Sequence, residues 1–118
     1  MNQGTLEILD DKNQVIMTIH EEMNGPYMAI AISGKITNEV LLDFKDELIA
    51  IACVCQKIKV DLSKTDYICS DVLSSLLSVQ RMIEKKDDPE LVIVISSEIK
   101  QVFEDSGYIE ILHVEVVS

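Results

Sequence analysis

The chain is 118 residues long, 47% apolar, and carries 21 acidic against 10 basic residues for a net charge of −11. That length suits one domain, able to bury about two thirds of the surface its unfolded chain exposes. The negative charge works against phosphate backbones and anionic lipid, so neither nucleic acid nor membrane is expected as a partner, and a partner with a basic face is favoured.

The first elements are strands. TLEIL (5–9) and QVIMTI (14–19) are rich in β-formers and flank the polar cluster DDKN (10–13), the pattern of a hairpin. Asn24-Gly25-Pro26 marks a second turn. It leads into YMAIAIS (27–33), apolar enough to predict a strand buried on both faces and ended by Gly34. Thr37 or Asn38 is placed to cap a first helix, with Glu39 in its first turn. Leu41, Phe44, Leu48, Ile51 and Cys55 then fall on one helical face.

IKVDL (58–62) predicts a short strand. A second helix is expected from Ser70 or Asp71, either of which suits an N-cap, with Val72, Leu76, Val79 and Ile83 as its stripe. Pro89 forbids its continuation. LVIVI (91–95) reads as a central parallel strand. Ser96 or Ser97 caps a third helix carrying Ile99, Val102 and Phe103, with Gly107 as its stop. HVEVV (113–117) is the last strand. A leading hairpin followed by strand-helix alternation predicts an α/β domain with a mixed, mostly parallel β-sheet and right-handed crossovers.

Motifs for catalysis are scarce. There is no glycine-rich phosphate loop, and His20 and His113 both fall in strand regions, where a structural role is the commoner one. Cys53 and Cys55 point to different sides of a helix, lack a second pair to complete a zinc site, and read as core packing. With Cys69 they make an odd number, which suggests no disulfide framework. No basic-then-apolar leader opens the chain, and no apolar run approaches the ~20 residues that span a bilayer. The expected setting is cytoplasmic, with no cofactor and no metal.

The segment 58–83 carries the most information. It reads Ile58-Lys59-Val60-Asp61-Leu62-Ser63, then Tyr67-Ile68, then Cys69-Ser70-Asp71-Val72-Leu73, then Leu76-Leu77. In order and spacing this resembles the STAS domain, the family of the bacterial anti-sigma factor antagonists, with its apolar strand, D-L-S/D, loop serine and leucine-bearing helix. AIAISGKIT (29–37) resembles the family's entry to its first helix. LVIVISSEIKQVFEDSGYIEIL (91–112) resembles its later strand and short helix, through Val102-Phe103 and Ser106-Gly107-Tyr108. The resemblance spans residues 14–117, with 1–13 as an N-terminal strand extension of a single 1–118 domain.

The resemblance implies three to four helices covering the sheet and a regulatory, non-catalytic protein-binding module. It implies partner switching with an anti-sigma factor or serine kinase-like regulator, with Ser70 in the position of the serine that such a kinase phosphorylates. It places the partner-binding loop and helix at Cys69, Ser70, Asp71, Val72, Ser74 and Ser75. Three residues depart from the family pattern: Cys69 replaces an acid, Asp71 a small residue and Val72 a glycine. Asp71 sets a negative charge beside Ser70, so the chain reads either as a permanently unphosphorylated binder or as a mimic of the charged state. A further alternative is a phosphorylation-independent scaffold in which Ser70 is only a cap and the module self-associates, as a homodimer or within a larger complex.

Overall fold

The computed structural model describes residues 3–117. Strands β1 (Gln3–Leu9) and β2 (Val15–Asn24) form the expected hairpin, followed by β3 (Tyr27–Ile36). Then come α1 (Leu41–Val54), β4 (Lys57–Ile68), α2 (Asp71–Ile83), β5 (Glu90–Ser96), α3 (Ser97–Ser106), the single turn α4 (Tyr108–Ile111) and β6 (Val114–Val117). The six strands lie in sequential order. The pairs β1–β2 and β2–β3 are antiparallel, and β3–β4, β4–β5 and β5–β6 are parallel.

Sequential order has a direct consequence. Every crossover steps in the same direction across the sheet, and right-handed crossovers then put all the helices on one face. Met17, Ile19, Ile30, Ile32, Ile58, Val60, Leu62, Ile93 and Ile95 line that face. They meet Phe44, Leu48, Leu73, Leu76, Val79 and Phe103 from the helices, and together these make the core. The opposite face has no helical cover. The expectation of burial on both faces of β3 therefore fails at Ala31, which is exposed, whereas β5 holds Leu91 to Ile95 all buried.

Strand β4 is longer than the predicted 58–62. Its pairing with β5 ends at Asp61 opposite Val94, but its pairing with β3 continues to Ile68 opposite Ile36. The polar stretch after Leu62 is a strand with one free edge, tied down by buried Thr65, whose hydroxyl donates to the Leu62 carbonyl at 2.7 Å. Strand β3 likewise runs through Gly34 rather than ending there. Gly34 adopts φ +102°, and a Cβ on it would lie 2.6 Å from the Ile16 carbonyl oxygen. The position requires glycine because β2 passes so close.

The helix ends differ from the predicted caps. α1 starts later than Thr37 or Asn38, with Val40 at its N-cap and no side-chain cap. Its far end is held from elsewhere: Lys86, just beyond α2, donates from Nζ to the Ala52 carbonyl at 2.6 Å and to that of Cys55 at 3.4 Å. A cation there completes a helix C-terminus whose last turn holds no base of its own. Gly107 ends α3 in the left-handed conformation, as its position predicts. Cys55 is half-buried and packs against the core, as expected, whereas Cys53 is exposed, on the side of α1 away from the buried Phe44, Leu48, Ile51 and Ala52. Cys69 is the buried cysteine.

Candidate functional site

The junction between β4 and α2 lies at the carboxyl end of the parallel strands, the edge at which open α/β sheets present their loops for binding. The chain passes from Ile68 through Cys69 and Ser70 into α2 with almost no loop. The Cys69 N–H donates to the Ile36 carbonyl at 2.9 Å, so the junction is stitched to the end of β3. Val72 N–H then bonds the Cys69 carbonyl, and Leu73 N–H bonds that of Ser70, each at 3.1 Å. The first turn of the helix is closed by backbone alone.

Ser70 occupies the N-cap position, but its φ −61° and ψ −27° are already helical and its side chain makes no capping bond. A capping serine needs an extended backbone to aim its oxygen back at the helix N–H groups. Capping therefore does not account for this serine. Ser70 is exposed, and its hydroxyl has no hydrogen-bond partner among the described residues. The neighbouring serines behave differently. Ser74 donates to the Asp71 carbonyl at 2.9 Å, Ser75 to the same carbonyl at 3.0 Å, and Ser78 to that of Ser74 at 3.0 Å. Those three hydroxyls are committed to helix carbonyls. Of the four, Ser70 alone keeps a free one.

The six residues of the expected binding segment divide by face. Ser70, Asp71 and Ser74 are exposed on the mouth and outer side of α2. Cys69 is 5% exposed, Val72 0% and Ser75 4%, all turned into the core. These three shape the segment from inside and offer no side chain to a partner. The exposed apolar residues Leu42 at the start of α1 and Tyr67 near the end of β4 belong to the same end of the sheet. Sequence periodicity did not single them out, since an apolar residue at a helix start or strand end reads as core; their exposure is the only signal.

A concavity of about 600 Å³ opens beside this junction, between the β1–β2 turn and the ends of β3 and β4. Asp10, Asp11, Glu39 and Asp66, with Lys12 and Lys35, supply its charge, and no histidine, cysteine or serine lines it. Asp10 is partly spent on the turn itself, accepting from the N–H groups of Lys12 at 2.8 Å and Gln14 at 2.9 Å. Among the described residues no three His, Cys, Asp or Glu side chains gather as a metal site, and no helix is long and apolar enough to cross a membrane.

No family model matches the sequence, and neither does any curated protein. Solved structures do. An anti-sigma factor antagonist from Mycobacterium paratuberculosis superposes with a TM-score of 0.77 over 91% of this chain and 89% of its own, at 13% identity. The anti-sigma factor antagonist SpoIIAA in its unphosphorylated form gives a TM-score of 0.71 over 85% of this chain and 88% of its own, also at 13% identity. At such identity the likeness is one of architecture, and it agrees with the six-stranded mixed sheet and its one-sided helical layer. The chain has the STAS fold, the fold of the anti-sigma factor antagonists.

Proposed function

We propose that this domain is a regulatory protein-binding module that switches partners with an anti-sigma-type serine kinase through the face formed by Ser70, Asp71 and Ser74. The observation that carries the reading is Ser70: an exposed serine with a free hydroxyl, fixed at a helix mouth, in a fold shared with anti-sigma factor antagonists. The chemistry is coherent. A phosphate at a helix N-terminus meets the positive end of the helix dipole and is tolerated locally. It adds about −1.5 to −2 charges to the docking face, enough to block association without refolding the domain. Only groups already on the surface change, which suits a switch with a rigid scaffold. The proposed setting is the cytoplasm.

The test is to incubate the protein with ATP and the anti-sigma-type serine kinases of its source organism and to read intact mass. A gain of one phosphate that disappears in Ser70→Ala supports the switch. No gain with any of them removes phosphorylation from the proposal.

One observation favours a second reading. Asp71 is exposed at the same helix mouth and already places a carboxylate beside Ser70. In this reading the face binds its partner with no phosphate involved, as a scaffold. Asp71→Asn then alters affinity while Ser70→Ala does not.

A further inference from the structure

Away from the Ser70 face, the two edges of the sheet differ. β6 is only four residues long and carries Glu115. β1 runs for seven residues, and its outer side meets no other strand among the described residues. A long edge strand leaves a row of unpaired N–H and C=O groups, and proteins ordinarily blunt such an edge with lysine, proline or a bulge. β1 has no lysine and no proline, and its pairing with β2 is regular from Gln3 to Ile8. Leu6, at its midpoint, is 41% exposed. It lies directly opposite Ile19, and Ile8 lies opposite Met17, so both stand on the helix-covered face of the sheet, Leu6 at its exposed margin.

We propose that β1 pairs antiparallel with β1 of a second copy of this chain, about a two-fold axis at Leu6, so that two six-stranded sheets join into one. The residues of the strand select this occupant and this register. A two-fold at Leu6 sets Leu6 against Leu6, Thr5 against Glu7 and Gly4 against Ile8. Apolar side chains then meet on one face, and the branched Ile8 stands opposite a residue with no side chain. Gly4 is not required by its own chain: its φ is not left-handed, and a Cβ on it would meet nothing within 4 Å. A hollow of about 210 Å³, lined by Gly4, Thr5, Leu6, Glu21 and Glu47, opens beside it, and the Ile8 of the second copy arrives at its rim.

Other registers are worse. A two-fold at Glu7 would oppose two carboxylates, and one at Thr5 would pair fewer residues and leave Leu6 facing Gly4. A register one residue off would set Leu6 against Glu7 and turn the two helical layers to opposite faces. The net charge of −11 resists self-association in general, but β1 brings only one charge, Glu7, and the Leu6 register places it opposite an uncharged threonine. The two copies of Glu7 are then diagonal neighbours, about 7–8 Å apart. β1 lies three strands from β4, about 14 Å across the sheet. The pairing therefore leaves both Ser70 faces open, and the dimer is bivalent toward any partner of that face. Two seven-residue strands make a small interface, so a reversible dimer is expected, with a dissociation constant on the order of 10–100 µM.

The experiment is sedimentation equilibrium of the full chain up to about 1 mM, beside Leu6→Lys. The wild type is expected to approach the mass of two chains. Leu6→Lys alters an exposed site, sets two ammonium groups against each other at the axis and raises the dissociation constant about tenfold or more. Leu6→Cys in a Cys53→Ser background is expected to form a covalent dimer on mild oxidation faster than Leu42→Cys in the same background. A wild type that stays monomeric throughout overturns the proposal. So does a dimer that Leu6→Lys leaves undiminished, or cross-linking no faster at Leu6 than at Leu42. Should Leu6→Lys fail to fold, the wild-type mass and the Leu6→Cys cross-link decide.

Discussion

The N–H of Cys69 donates to the carbonyl of Ile36 across the ends of β4 and β3 at 2.9 Å, and Cys69 itself is 5% exposed. This bond holds the segment that presents Ser70, and it turns the preceding side chain inward. The STAS pattern has an acid at that position, but here the site is apolar. Cys69→Asp is expected to bury an unpaired carboxylate at a cost of about 2–4 kcal/mol at neutral pH. The buried acid would have a raised pKa, so the deficit should shrink as the pH falls. Urea denaturation at two pH values checks both points; an undiminished midpoint for the variant at neutral pH contradicts the packing described for Cys69.

Gly34→Ala probes the close approach of β2 to β3. The left-handed φ of +102° and the 2.6 Å approach to the Ile16 carbonyl both oppose a Cβ. The expected loss is about 2–4 kcal/mol, larger than an ordinary glycine substitution, because strain and a clash add. Guanidinium denaturation measures it. A neutral outcome means β2 and β3 are not this close.

Lys86→Met removes the cation that serves the last carbonyls of α1 while keeping most of the apolar stem. A loss of about 1 kcal/mol is expected, which is a fall in Tm of about 4 °C for a chain of this size. Amide exchange in the last turn of α1 should accelerate more than exchange in α2. Uniform acceleration would show that Lys86 does not act on the α1 terminus.

Much of this fold is legible in the sequence because the crossover units obey simple periodicities. The five apolar residues from Leu91 to Ile95 and the three- and four-residue spacing of Phe44, Leu48 and Ile51 each report their own element. Features set by tertiary arrangement are not. The second half of β4 reads as a loop because Ser63, Lys64 and Asp66 are polar; its strand character comes from β3 continuing alongside it. Ala31 looks like core, and only the common direction of all three crossovers leaves it uncovered. Cys53 has the composition of a core residue and the position of a surface one. At the site, the loop serine and its helix are visible in the chain. The free hydroxyl of Ser70 is not, since it depends on a helical backbone at a position where sequence suggests a cap.

The Ser70 face is the proposed docking surface. Isothermal titration calorimetry of the purified anti-sigma-type serine kinases of the source organism with this protein, Ser70→Asp and Ser74→Arg tests it most directly. Ser70→Asp and Ser74→Arg alter exposed groups and should leave the fold and its melting unchanged. The expected result is one kinase that binds the wild type, with an affinity lowered at least tenfold, about 1.4 kcal/mol, by each variant. Binding that is the same for the wild type and both variants would place the interface elsewhere and contradict the central claim.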